Sequence, residues 1–207
     1  IASDYAAMIS AAIALHGALQ DQQFVRQAEA WADMLDRWHG DETGTGYYLT
    51  ASDSTDVPMR IRGDVDEAIP SATAQIITAL VQLSGASGNH TLYEKAIRVA
   101  KAALARALGQ SYGQTGIVHA ASIARRPLKL LMNDPAGDMF VPAANRLTDP
   151  RRVDIVLGPE EGLAERQAGI TVDRAVPAAY LCIGQSCLPP LRDGTTLEAA
   201  LRGVTGR

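Results

Sequence analysis

Apolar residues near the N-terminus recur at three- and four-residue steps, and this recurrence limits the fold more than any other feature of the chain. Tyr5, Met8, Ile9, Ala12, His16 and Leu19 share one helix face, and Phe24, Ala28, Trp31, Leu35 and Trp38 repeat the pattern. The second run stops at Gly40, a residue suited to a helix C-terminus. Only a short link around Asp21 separates the runs, which predicts an antiparallel helical hairpin. SATAQIITALVQLSG predicts a third helix with Ser71 as its N-cap, apolar on more than one side and so buried on more than one side. After the glycine-rich SGASGNH, a fourth helix opens on Thr91-Leu92-Tyr93-Glu94, a capping-box pattern, and runs to about Leu108. Two successive hairpins of similar length, with extended loops between them, point to an α/α repeat architecture.

The character of the chain changes near residue 113. PLKLLMND and RRVDIVLGP carry short apolar runs that fit buried strands, with DMFVPAANRL as a helix between them. AAYLCIG is a third strand, followed by turn-rich SCLPPLRDG and a last short helix, TTLEAALRG. The fold expected is therefore mainly α: helical hairpins over residues 1–112 and a small α/β element over 113–207 packing on them.

Composition excludes several classes of function. The 207 residues carry a net charge of −4 without a basic stripe, which gives no support for binding nucleic acid or an anionic membrane. Apolar runs are broken well before the roughly 20 residues that a membrane span needs. With 47% hydrophobic and 20% charged residues, the composition is that of an ordinary globular protein. Two cysteines make no disulfide framework, so a reducing cytoplasm is the expected setting. The N-terminal stretch lacks the basic region of a signal peptide, and there is no initiator Met. The chain reads as a piece of something longer.

The stretch RIRGDVDEAIPS concentrates charge ahead of the third helix: Arg60, Arg62, Asp64, Asp66 and Glu67, running into Pro70-Ser71. Arginines can hold a hydroxyl- or carboxylate-bearing ligand through bidentate bonds, and a carboxylate there can act as general acid or base. The same residues can equally form an Arg–Asp network that pins the loop, with acids placed favourably at a helix N-terminus. Upstream, DETGTGYYLT predicts a turn into a short extended segment, where alternation turns one of Tyr47 and Tyr48 inward and the other outward.

Four ordered segments, SDYAAMISAAIALHGALQD, GTGYYLTASD, RIRGDVDEAIPSATAQ and AAYLCIGQSCLPPL, resemble the C-terminal region of thioredoxin-domain-containing proteins related to spermatogenesis-associated protein 20. The resemblance implies a partial (α/α)6 toroid similar to N-acylglucosamine 2-epimerases, with a thioredoxin-like domain and the early hairpins lying outside this chain. Gly46-Tyr47-Tyr48, Arg60, Arg62, Asp66, Pro70-Ser71, Cys182 and Cys187 match the family pattern. Gly63 stands where an aspartate is usual, with Asp64 one place later, and Ala72-Thr73-Ala74 replaces Gly-Asn-Ser. Four long helices do not close a six-hairpin toroid, so an exposed apolar flank is also expected.

Two functions of different kinds follow. One is a carbohydrate-active isomerase or hydrolase using Asp64 and Asp66 as acid and base, with Tyr5, Tyr48, Arg60 and Arg62 binding a sugar-like ligand. The other is a non-catalytic scaffold that binds a ligand or partner and serves the upstream domain. The histidines favour the second, because His16, His39, His90 and His119 are scattered singly and form no catalytic or metal-binding pair. No cofactor or metal is expected. GPEEG and MNDPAGD are not glycine-rich phosphate loops. Cys182 and Cys187 stand as a candidate redox pair across a turn containing Gly184, or as two inert thiols.

Overall fold

The computed structural model describes residues 1–109, 111–157, 172, 173, 175–184 and 186–205. The GPEEG segment named above lies outside the described residues. The chain divides into two compact units, one of Ile1–Ser84 with Asn89–Arg125, the other of Gly85–Gly88 with Arg126–Arg207. The division in sequence thus falls at Arg126, whereas composition had suggested residue 113.

The first unit is helical. Helix α1 (Ala2–Leu19) and helix α2 (Gln22–His39) pack together as the antiparallel hairpin that their two-residue link dictates. Gln20 takes the left-handed conformation (φ 56°) in that link, and the Asp21 side chain caps α2 by accepting the Gln23 amide at 2.8 Å. Helix α3 (Ala72–Ser87) buries Ile76, Ile77, Ala79, Leu80 and Leu83 almost completely, so it is enclosed on more than one side. Ser71 caps it, its hydroxyl oxygen accepting the Ala74 amide at 3.3 Å.

Two local expectations are corrected. Helix α3 runs through Gly85 to Ser87, and the break comes at Gly88, whose φ of 73° ends the helix. Helix α4 (His90–Ala107) is capped by Asn89, which accepts the Thr91 amide at 3.1 Å. Thr91 therefore lies inside the first turn, because Asn89 offers the better-placed cap two residues earlier. A 3₁₀ turn (Ser111–Gly113) then leads into helix α5 (Thr115–Arg125), which packs on α4 and had no counterpart in the sequence reading. The Tyr93 hydroxyl donates to the Ala124 carbonyl at 3.0 Å and ties these two helices.

The second unit is built on a four-stranded sheet in the order β2-β1-β3-β4. Strand β1 (Leu128–Asn133) pairs in parallel with β2 (Arg152–Val156), and the crossover between them carries the short helix α6 (Val141–Asn145). Strand β3 (Ala178–Ile183) runs antiparallel to β1 and turns at Gly184 into β4 (Ser186–Cys187). Helix α7 (Gly194–Thr205) packs against α6. Alternation explains the core: Leu128, Leu130, Met132, Ala179 and Leu181 project from one sheet face onto Phe140, Ala143, Leu197 and Leu201. Leu131 and Tyr180 are buried as well, so the sheet is covered on both faces.

Candidate functional site

The candidate site is assembled from the loop between α2 and α3. Asp41 organises its first turn. Its Oδ1 accepts the Thr45 amide and the Thr43 hydroxyl, each at 2.9 Å, and Gly44 supplies the left-handed residue (φ 66°) that the tight turn requires. The chain then runs back extended. Tyr47 bridges to Gly40 and Tyr48 to Arg62, with the Tyr48 amide donating to the His39 carbonyl at 2.8 Å.

Alternation sends the two tyrosines opposite ways, as expected. Tyr47 is buried and donates its hydroxyl to Asp36 at 2.6 Å, and Asp36 is also ion-paired with Lys95. Burial and the Asp36 charge push the Tyr47 phenol far above its ordinary value, so it stays a donor. Tyr48 turns outward, and both guanidiniums gather over its ring, the Arg60 Cζ at 4.4 Å and the Arg62 Cζ at 4.9 Å from the centroid. Arg60 donates to the Thr50 carbonyl at 3.1 Å and to the Trp38 carbonyl at 3.0 Å. Arg62 pairs with Asp41 at 2.7 Å. Gly46 lies against this pair, and a Cβ there would collide with Arg62 Nη1.

Burial raises the Asp41 carboxyl, but the Thr45 amide, the Arg62 guanidinium and the Thr43 hydroxyl outweigh it and hold the group down at about 2. Burial holds the His39 imidazole below its ordinary value while its Nδ1 donates to the Tyr48 carbonyl at 3.0 Å. Gly40, Asp41, Glu42, Thr43, Tyr48, Arg60 and Arg62 line an open cleft of about 440 Å³. Its walls are mostly charged and polar, unlike the largely apolar walls of most small-molecule pockets.

The structure therefore brings Tyr48, Arg60 and Arg62 together and places Asp64, Asp66 and Tyr5 elsewhere. Asp64 accepts the Thr73 hydroxyl at 2.6 Å and pairs with Arg106 at 2.7 Å, which ties the loop to α3 and α4. Asp66 accepts the Ser71 amide at 2.8 Å, the Gly116 amide at 2.6 Å and the Thr115 hydroxyl at 3.2 Å. It is a cap on α5. Burial raises its carboxyl, but the Gly116 and Ser71 amides prevail and lower it. Neither aspartate lines the cleft, and both spend their acceptor capacity on structure. Tyr5 is half-buried on α1 and stands edge-on to His39, ring centroids 5.6 Å apart.

Asp41 is the residue that sequence reasoning missed. Its signal was local: an aspartate followed by threonines two and four positions on and a glycine between them, the pattern of a side-chain-closed turn. Its partner Arg62 is 21 positions away and carries no such sign. Among the described residues, no group of three or more His, Cys, Asp or Glu side chains is placed to hold a metal ion, and no helix is long and apolar enough to cross a membrane. In the second unit, Cys182 and Cys187 are joined by a disulfide, which removes the reading of two separate thiols.

No protein-family model matches the chain. It is 25% identical over 96% of its length to spermatogenesis-associated protein 20 of Rattus norvegicus, and 24% identical over 96% to the protein of that name from Homo sapiens. The matches support a relation to that family. The chain spans about a quarter of the length of these curated relatives, 26% and 27%.

Proposed function

We propose that the chain is a non-catalytic binding segment of a larger protein, a part of an (α/α)6 toroid whose cleft at Tyr48, Arg60 and Arg62 takes a small polar, sugar-like ligand. One observation carries this reading over acid-base catalysis. The two aspartates of RIRGDVDE are occupied by backbone amides, hydroxyls and an arginine, so neither is free to move a proton to or from a ligand. The cleft itself offers guanidinium donors and the Glu42 carboxylate as an acceptor, with the Asp41 carboxylate spent on the turn and on Arg62, and this suits hydroxyl groups. Tyr48 already holds two guanidiniums, so recognition rests on hydrogen bonds rather than on stacking against a bare ring.

Met59, Ile61, Val65 and Ile69 leave apolar side chains exposed along the same loop. This supports the proposal that further parts of a longer chain, a thioredoxin-like domain among them, cover it. The setting proposed is the cytoplasm. The test is a thermal-shift screen of neutral sugars, amino sugars and sugar acids, followed by product analysis of every hit. The expected hit loses its shift in Arg60→Ala and keeps it in Asp64→Asn, with the ligand recovered unchanged. Recovery of an isomerised or hydrolysed ligand, or a shift indifferent to Arg60→Ala, overturns the reading.

A further inference from the structure

One row of side chains in the second unit is not used by the cleft. Strand register sets Lys129 of β1 beside Cys182 of β3, and Cys182 beside Cys187 of β4. Cross-strand partners share a sheet face, so a lysine and two cysteines stand side by side on one face. The Leu188 amide donates to the Leu181 carbonyl at 2.9 Å, which makes the adjoining cysteines a non-hydrogen-bonded pair, the kind whose side chains approach most closely. Their Cα atoms are 3.9 Å apart.

Backbone hydrogen bonds hold the hairpin alongside the sulfur–sulfur bond. Ala179 and Leu191 exchange both backbone hydrogen bonds at 2.9 Å, and the Gly184 amide at the turn donates to the Pro127 carbonyl at 2.8 Å. The two sulfurs also differ in setting. Cys182 is buried, whereas Cys187 is half-buried on a two-residue strand at the sheet edge. Burial lowers the pKa of the Lys129 ammonium, so a thiolate forming in the next position of the row would offset part of its desolvation.

We propose that Cys182 and Cys187 form a reversible dithiol–disulfide site, with Lys129 as the positioning residue that stabilises the Cys182 thiolate released on reduction. The co-reactant is an external dithiol. Its thiolate attacks Cys187 Sγ, the more accessible sulfur, the Cys182–Cys187 bond breaks, and the electron pair leaves on Cys182. The dithiol's second thiolate then attacks its own bridging sulfur, closing a cyclic disulfide and releasing Cys187. Two electrons and two protons pass from the dithiol to the protein, and a disulfide oxidant reverses the exchange. A cation beside the leaving sulfur lowers its pKa and speeds its departure.

The full chain is mixed with reduced and oxidised dithiothreitol, free thiols are alkylated at timed intervals and again at equilibrium and counted by intact mass, and circular dichroism follows the fold. Both thiols are expected to appear together, reversibly, with the helical signal intact. Lys129→Met is expected to slow reduction by roughly three- to tenfold, and Lys129→Arg to restore it. If Lys129→Met does not fold, Lys129→Gln is read in its place. A disulfide that yields only with unfolding, thiols that fail to pair under oxidised reagent, or a reduction rate indifferent to the charge at position 129 each overturn the proposal.

Discussion

Asp66 and Gly116 are 50 residues apart in sequence, and the carboxylate of the first accepts the backbone amide of the second at 2.6 Å. A cap on α5 is thus supplied from the loop that precedes α3. A Cβ at position 116 would lie 2.5 Å from Asp66 Oδ1, so the contact requires glycine. Asp66→Ala is expected to lower stability by about 0.5–2 kcal/mol, the usual range for a lost N-cap. Gly116→Ala is expected to be destabilising although alanine is the better helix former by ~1 kcal/mol, because it displaces the cap. Urea denaturation checks both, and an unchanged midpoint for Asp66→Ala would falsify the cap assignment.

Acid should weaken the same loop through Asp41. Its carboxyl is held at about 2 in the folded chain against an ordinary 3.8, so the folded state binds its proton less readily than the unfolded state does. Its contribution is complete above the unfolded value and lost as pH falls from about 4 to about 2, with Asp66 acting in the same direction. We expect Asp41→Asn to flatten the fall in denaturant midpoint over that interval. A slope identical to that of the parent protein would count against the Asp41–Arg62 pair.

Tyr47 holds α2 and the loop together through its 2.6 Å bond to Asp36. Tyr47→Phe keeps the buried ring and removes the donor, leaving Asp36 with Lys95 as its remaining ionic partner. A hydrogen bond to a charged group contributes about 1.5–3 kcal/mol, so chemical denaturation should show a loss of that order. A change below about 0.5 kcal/mol would mean that water serves Asp36 as well as the phenol does.

The Cys182–Cys187 bond closes a loop of short span, with a sequence separation of 5. Removing both sulfurs as Cys182→Ala/Cys187→Ala should cost only about 2 kcal/mol on the chain-entropy relation, with the sheet retained. Collapse of the sheet signal by circular dichroism would show instead that the bond is required for folding.

The helices were legible wherever their signals were local. Helices α1 and α2 carry their periodicity and their stop at Gly40 in neighbouring residues, and Ser71 announced α3 in the same way. Helix α4 was legible in extent but not in its cap, because Asn89 and Thr91 both suit an N-terminus and only backbone geometry chose Asn89. Helix α5 was missed for a different reason. Its first turn contains Gly116, a poor helix former, and its cap comes from Asp66 rather than from an adjacent residue.

The sequence by itself determined a mainly α chain with a small sheet and three of its four strands, the two-residue β4 having been read as part of a turn, and it pointed to the charged loop before α3 as the place for a candidate site. Periodicity and capping act over a few residues, so composition along the chain is enough to read them. Tertiary structure alone decided the roles within that loop. Whether an aspartate serves as acid, cap or ion-pair partner depends on the donors that reach it, and those of Asp64 and Asp66 come from Arg106 and Gly116, far along the chain. The same holds for Lys129 and Cys182, which only the pairing of β1 with β3 makes neighbours.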